Sequence, residues 1–141
     1  MSWELYQGDC IEVMQGMPEG FVQTCVTSPP YYGLRDYGVE GQIGLEESPD
    51  EYVQRLVEVF REVRRVLRDD GTVWLNLGDS YWGSGGANNN SGITGRRPAG
   101  EKDERDGPVA YRQRWRSNGV LKPKDLIGIP WRVAFALQAD G

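Results

Sequence analysis

The residues best placed to do chemistry stand in a row: Ser28, Pro29, Pro30 and Tyr31, inside "VTSPPYYGLRDYG" at Val26–Gly38. They follow a β-rich run, "FVQTCVT" at Phe21–Thr27. A proline cannot donate to a sheet ladder, so the strand must stop at Pro29. Pro29 and Pro30 fix their φ angles and offer carbonyls with no competing N–H. Ser28 adds a hydroxyl that donates or accepts, and Tyr31 adds a flat face beside these acceptors. Together they suit a planar group bearing an NH2, with lone pairs at its edge and a ring on its face. The plainer reading of the same four residues is a rigid strand-to-loop stop.

Two other exits resemble this one in position. "GDC" at Gly8–Cys10 follows a short strand-like stretch, Trp3–Gln7, and "LGDSY" at Leu77–Tyr81 follows "TVWLNLG" at Thr72–Gly78. Asp9 is either a cap for the helix that starts at Cys10 or a ligand-side carboxylate; Asp79 is either a turn former or a weaker candidate of the same kind. The segment Thr94–Lys124 holds nine Lys/Arg against four Asp/Glu, on a chain whose net charge is −5. A basic segment on an acidic body fits a phosphate-contacting element or a solvated mixed-charge loop. Within it Arg112, Arg114 and Arg116 alternate in "RQRWR", which reads equally as a phosphate-tracking ribbon or a solvated strand.

The sequence contains no histidine. That excludes Ser-His-Asp hydrolysis, His-ligated zinc and imidazole acid–base catalysis, and no metal site is expected. Cys10 and Cys25 form no CxxC pattern and read as small buried residues.

The elements that must position these residues follow from periodicity. Cys10–Met17 carries a short helical stripe. "SPDEYVQRLVEVFREVRRVLRDDG" opens with Ser48 as cap, Pro49 at the first position and Glu51 three residues after the cap, a capping box. Tyr52, Val53, Leu56, Phe60, Val63 and Leu67 form one apolar face, and Gly71 is the expected stop. Residues 83–119 read as a long mobile loop rich in Gly, Asn and Arg. A last helix starts near Pro130, with Trp131 and Phe135 expected in the core. Strands alternating with helices predict one α/β domain over residues 1–141 with a mostly parallel sheet. Ligands of such sheets sit beyond the C-terminal strand ends, where all three exits gather. No apolar run approaches the ~20 residues of a membrane span, and no secretory signal opens the chain, so a cytoplasmic protein is expected.

With the flanking segments added, the chain is similar to the amino-group DNA methyltransferases. Their catalytic motif, Ser/Asn/Asp-Pro-Pro-Tyr/Phe after a strand, stands here as "TSPPYY". The Ser form resembles the cytosine-N4 enzymes; the Asp form is more usual for adenine-N6. "YQGDCIEVMQGMPEGFVQTCVTSPPYYGLRDYG" resembles the family's opening, and "GTVWLNLGDSY" and "DLIGIPWRVAFAL" resemble the segments that follow. The resemblance covers most of the chain outside the 83–119 loop and implies a partial Rossmann-like fold that uses S-adenosylmethionine.

The resemblance also implies roles. Ser28 and the Pro29 carbonyl would accept the two N–H bonds of an exocyclic amine, freeing its lone pair, with Pro30 holding the corner. The base would leave the duplex to reach them, and Tyr31 would stack on it, a contact worth roughly 1–3 kcal/mol. Gly8, Asp9 and Cys10, with Ser28, would border the cofactor, Asp9 at its adenine amino group or ribose. Tyr32, Arg35 and Tyr37 would line the mouth and Asp79 the cofactor or base side; Arg112, Arg114 and Arg116 are candidates for contacting DNA from their own pattern.

In the family's β-type order, a target-recognition region and a Phe-x-Gly-x-Gly cofactor loop come after these motifs. The sequence ends at Gly141 before either, so an N-terminal catalytic half-domain is expected. Its expected partners are DNA and a complementary polypeptide carrying those parts, or a second copy of itself. The competing expectation is an inactive remnant serving as a nucleic-acid-binding or interaction module.

Overall fold

Ser48 opens the longest helix where the capping pattern places it. The computed structural model describes residues 2–82, 120–122 and 124–141. In it α2 spans Pro49–Val66, after a short α1 at Cys10–Gln15. Ser48 Oγ accepts from the Glu51 N–H at 3.2 Å, and the Glu51 carboxylate accepts from the Glu47 N–H at 3.0 Å. Tyr52, Val53, Leu56, Phe60 and Val63 are buried as one face of α2, each such side chain contributing about 1.5–3 kcal/mol. They join Trp82, Leu121, Ile127, Ile129 and Val133 in a single core. Arg65, near the end of α2, donates to the carbonyls of Met14 and Met17 and so ties down the C-terminal end of α1.

Strands β1 (Val22–Thr27) and β2 (Leu67–Leu75) pair in parallel, with Thr24 opposite Thr72 and Thr27 opposite Leu75. The Asn76 N–H donates to the Thr27 carbonyl at 2.9 Å and carries the pairing one step further. α3 (Ile129–Asp140) packs its Ile129, Val133, Ala136 and Leu137 stripe toward α2. The α/β class and the parallel pairing expected from the sequence are therefore present, and because the strands are parallel their C-terminal ends open on the same edge. No helix of the described residues is long and apolar enough to cross a membrane.

Four expectations are corrected. Trp3–Gln7 forms no strand, and Trp3 and Leu5 are 87% and 81% exposed; a lone extended segment has no ladder to join. α2 stops at Val66 and not at Gly71, because Leu67 already turns extended (φ −79°, ψ 141°). Gly71 lies inside β2 instead, where a Cβ would stand 2.6 Å from Leu67 Cγ and 3.0 Å from the Gln23 carbonyl oxygen. Trp131 and Phe135 are each 67% exposed, since they lie on the opposite side of α3 from its core stripe. Cys10 is exposed and Cys25 half-buried, the latter's thiol pushed up by that burial. The 83–119 segment, with Arg112, Arg114 and Arg116, lies outside the described residues.

Candidate active site at the strand exits

β1 ends at Thr27, and the chain runs directly into Ser28, which is exposed. The Ser28 hydroxyl faces the Tyr31 hydroxyl at 3.5 Å, the outer limit of a hydrogen bond. Pro29, Pro30 and Tyr31 are half-buried. The backbone acceptors here can be accounted for one by one. The Thr27 carbonyl accepts from Asn76, the Pro30 carbonyl accepts from the Tyr52 hydroxyl at 2.9 Å, and the Tyr31 carbonyl accepts from the Leu34 N–H at 3.3 Å. Among the described residues the Ser28 and Pro29 carbonyls accept no hydrogen bond. The Ser28 hydroxyl and two adjacent backbone oxygens that no described residue engages thus stand directly after the end of β1.

The second exit supports the first. Gly78, three residues beyond β2, has no side chain where the Tyr31 ring lies; a Cβ there would stand 2.7 Å from Tyr31 Cδ2 and Cε2. Tyr31 therefore spans from its own exit to the neighbouring one. Asp79 follows, and its Oδ1 accepts from the N–H groups of Gly128 at 3.0 Å and Ile129 at 3.1 Å. Asp79 caps α3 from far away in sequence, in addition to its local bond from the Ser80 N–H at 2.9 Å.

At the third expected site, which follows no strand, Asp9 Oδ1 accepts from the N–H groups of Ile11 at 2.9 Å and Glu12 at 3.2 Å, so Asp9 caps α1. It stays exposed. Arg55, one turn along α2 from Tyr52, is held charged first by its 2.7 Å contact with Glu58, and Asp9 and Cys10 add to that field.

The remaining expected residues divide. Tyr32 is buried, its ring 5.5 Å from that of Tyr52, so it belongs to the core and not to a pocket mouth. Arg35 and Tyr37 are exposed on a loop closed by Gln42, which accepts from the Tyr37 N–H at 2.6 Å and donates to the Arg35 carbonyl at 3.0 Å. The base of that loop closes through the Gly33 N–H, which donates to the Gly44 carbonyl at 2.8 Å. Gly44 has φ +103°, and a Cβ there would meet the Tyr31 carbonyl oxygen at 3.0 Å. Surface concavities lie beside Gly20, Arg64 and Arg68 and beside Val39, Asp50 and Arg55, and Ser28 lines neither of them.

Tyr52 and Gly78 were not identified from the sequence as site residues. Tyr52 was read only as part of the apolar face, although a tyrosine buried on a helix face needs an acceptor for its hydroxyl.

The DNA methylase family matches residues 22–136 of the chain. The chain is 51% identical over 138 residues to the type II methyltransferase M.XycI of Xanthomonas campestris pv. cyanopsidis and 48% identical over 137 residues to M.Cfr9I of Citrobacter freundii. It is 48% identical over 140 residues to M.SmaI of Serratia marcescens. These matches take in 97–99% of this chain but 42–44% of each relative, so the chain spans less than half the length of the curated relatives it matches. No solved structure matches it significantly.

Proposed function

The chain belongs to the DNA methylase family of amino-group methyltransferases, and we propose that it carries the catalytic corner of a DNA methyltransferase acting on the exocyclic amino nitrogen of an extruded base. Cytosine N4 is favoured over adenine N6 because Ser28 stands at the head of the motif. The observation that carries the reading is the exposed Ser28 at the end of a parallel strand, beside a Pro29 carbonyl that no described residue engages.

An aromatic amine is a poor nucleophile because its lone pair is delocalised into the ring. Ser28 Oγ and the Pro29 oxygen, accepting its two N–H bonds, draw the nitrogen toward tetrahedral geometry and free that pair. Tyr31, seated over Gly78, fixes the plane in which the base stacks. This is positioning and electrostatic preorganisation, with no covalent intermediate. Asp9 and Cys10 are the residues proposed to hold the adenosine end of S-adenosylmethionine. When bound, the cofactor supplies an electrophilic methyl group on a positive sulfur that departs with the bonding pair.

The partner proposal rests on the same coverage. The uncovered sheet surface at Val26 and Trp74 and the exposed Trp131 and Phe135 of α3 accept a polypeptide equivalent to the unmatched length of the relatives, which completes a Rossmann-like sheet.

The test is transfer of labelled methyl groups to DNA by the chain, complemented with the part of M.XycI that it does not match. Ser28→Ala should lose more than about a hundredfold in rate, the scale of losing a positioned transition-state partner, with an unchanged circular dichroism spectrum. Full turnover by that variant would refute the role. Salt-sensitive DNA binding without S-adenosylmethionine binding in calorimetry would favour the non-enzymatic module instead.

A further inference from the structure

A diproline corner offers two carbonyls to a substrate amine, and they must not be equivalent if one geometry is to be held. The structure distinguishes them. The Tyr52 ring is completely buried, packed at 49° against Tyr32 in the core, and its hydroxyl donates to the Pro30 carbonyl at 2.9 Å. Ser48 caps the helix that carries it and Pro49 starts that helix one turn earlier, so the backbone of Tyr52 is fixed by the helix and its ring by burial against Tyr32. Burial first, then the nearby Glu46 and Tyr31, push the phenol's pKa well above its ordinary value, so it remains a donor across the whole working range.

From this we infer that Tyr52 is a positioning residue for methyl transfer: its hydroxyl claims the Pro30 oxygen, so that of the two proline oxygens the Pro29 oxygen, beside Ser28, is left as the acceptor for the substrate amine. The inference rests on the proposed methyltransferase reading. It goes beyond that reading by giving a helix residue, 24 positions past Ser28 in the sequence, control over which carbonyl the base meets. Tyr52 touches neither base nor cofactor. It acts through the backbone of Pro30.

Tyr52→Phe keeps the ring and its contact with Tyr32 and removes only the hydroxyl. In the complemented protein the single-turnover rate should fall about tenfold, the equivalent of one hydrogen bond, while KM for S-adenosylmethionine stays within about twofold. A three-dimensional NMR experiment that correlates the Tyr31 amide with the preceding carbonyl reads Pro30 directly, and that carbonyl resonance should shift in the variant. A shifted resonance with an unchanged rate overturns the inference. So does an unshifted resonance, because the bond would then not exist in solution. Equal losses in rate, cofactor affinity and melting temperature would also overturn it, by showing a purely structural role. Ser28→Ala separates the two levels: if it retains full activity the methyltransferase corner itself fails, whereas if it is inactive and Tyr52→Phe is fully active only the positioning role fails. Absence of transfer by the wild-type protein overturns both.

Discussion

Tyr31 and Gly78 are matched in size, and that match is the sharpest residue-level constraint on the corner. A methyl group at Gly78 would stand 2.7 Å from two carbons of the Tyr31 ring. Gly78→Ala should therefore displace the ring or the backbone, at a cost of about 1–3 kcal/mol, visible as a lower melting temperature. It should also slow methyl transfer beyond what the lost stability explains, because the stacking plane moves. An Ala variant with unchanged melting and rate would show that the ring is not seated there. Asp9 allows a cleaner separation. Asn caps a helix about as well as Asp, so Asp9→Asn should keep α1 while weakening S-adenosylmethionine binding in calorimetry, if its carboxylate meets the cofactor. At this scale the motif was legible and its supports were not. Ser28, Pro29, Pro30 and Tyr31 are contiguous, and their chemistry follows from residue type. The Tyr52 hydroxyl and the bare Cα of Gly78 matter only through what folding brings against them. Tyr32 was misplaced for the same reason: adjacent tyrosines look alike in sequence, and only packing sends one to the core.

Helix α3 is secured at both ends by groups remote in sequence. At its start, Gly128 is left-handed (φ 78°) and supplies no capping side chain, so Asp79 takes that role through its contacts with Gly128 and Ile129. Asp79→Ala should cost about 0.5–2 kcal/mol, the usual worth of an N-cap, and loosen the segment beyond β2 along with α3, since one carboxylate joins them. Hydrogen exchange localised to both would confirm the link. At its end, Arg61 forks onto Asp140 with contacts of 2.6–3.1 Å. That hydrogen bond outweighs the cost of burial and, with the charges of Arg61 and Arg64, holds the Asp140 carboxyl below the usual carboxylate range. A carboxyl whose pKa is lowered by folding stabilises at pH above its ordinary value and loses that contribution as pH falls through the lowered one. Acid titration of stability should therefore flatten slightly in Asp140→Asn. Capping and periodicity made α2 legible at its start and along its face. Its end is not legible because a glycine after an apolar stripe usually stops a helix, whereas Gly71 sits in the irregular start of β2, close against Gln23 of β1. Asp79's cap was invisible because its helix lies about 50 residues away.

At the scale of the molecule, the described residues share one core, and large apolar side chains outside it remain exposed. Val26 and Trp74 are register partners on adjacent strands, yet they are 76% and 65% exposed. Parallel strands are ordinarily covered on both faces, and an α-helix with large apolar residues on both sides is ordinarily buried. Trp131 and Phe135, one turn apart, leave α3 in that condition. Exposed large apolar side chains on a sheet face and a helix face favour association. Taken alone, the chain should therefore bind an apolar dye and gain mass with concentration in sedimentation. Trp74→Lys combined with Trp131→Lys should hold it at the mass of one chain without lowering its melting temperature, since neither ring is in the core. Addition of the relatives' unmatched portion should suppress both dye binding and self-association in the wild type and do neither in the double variant. If the wild-type chain remains a single copy at every concentration and binds no dye, these faces are not docking surfaces. The corner at Ser28 would then have to work without a covering partner.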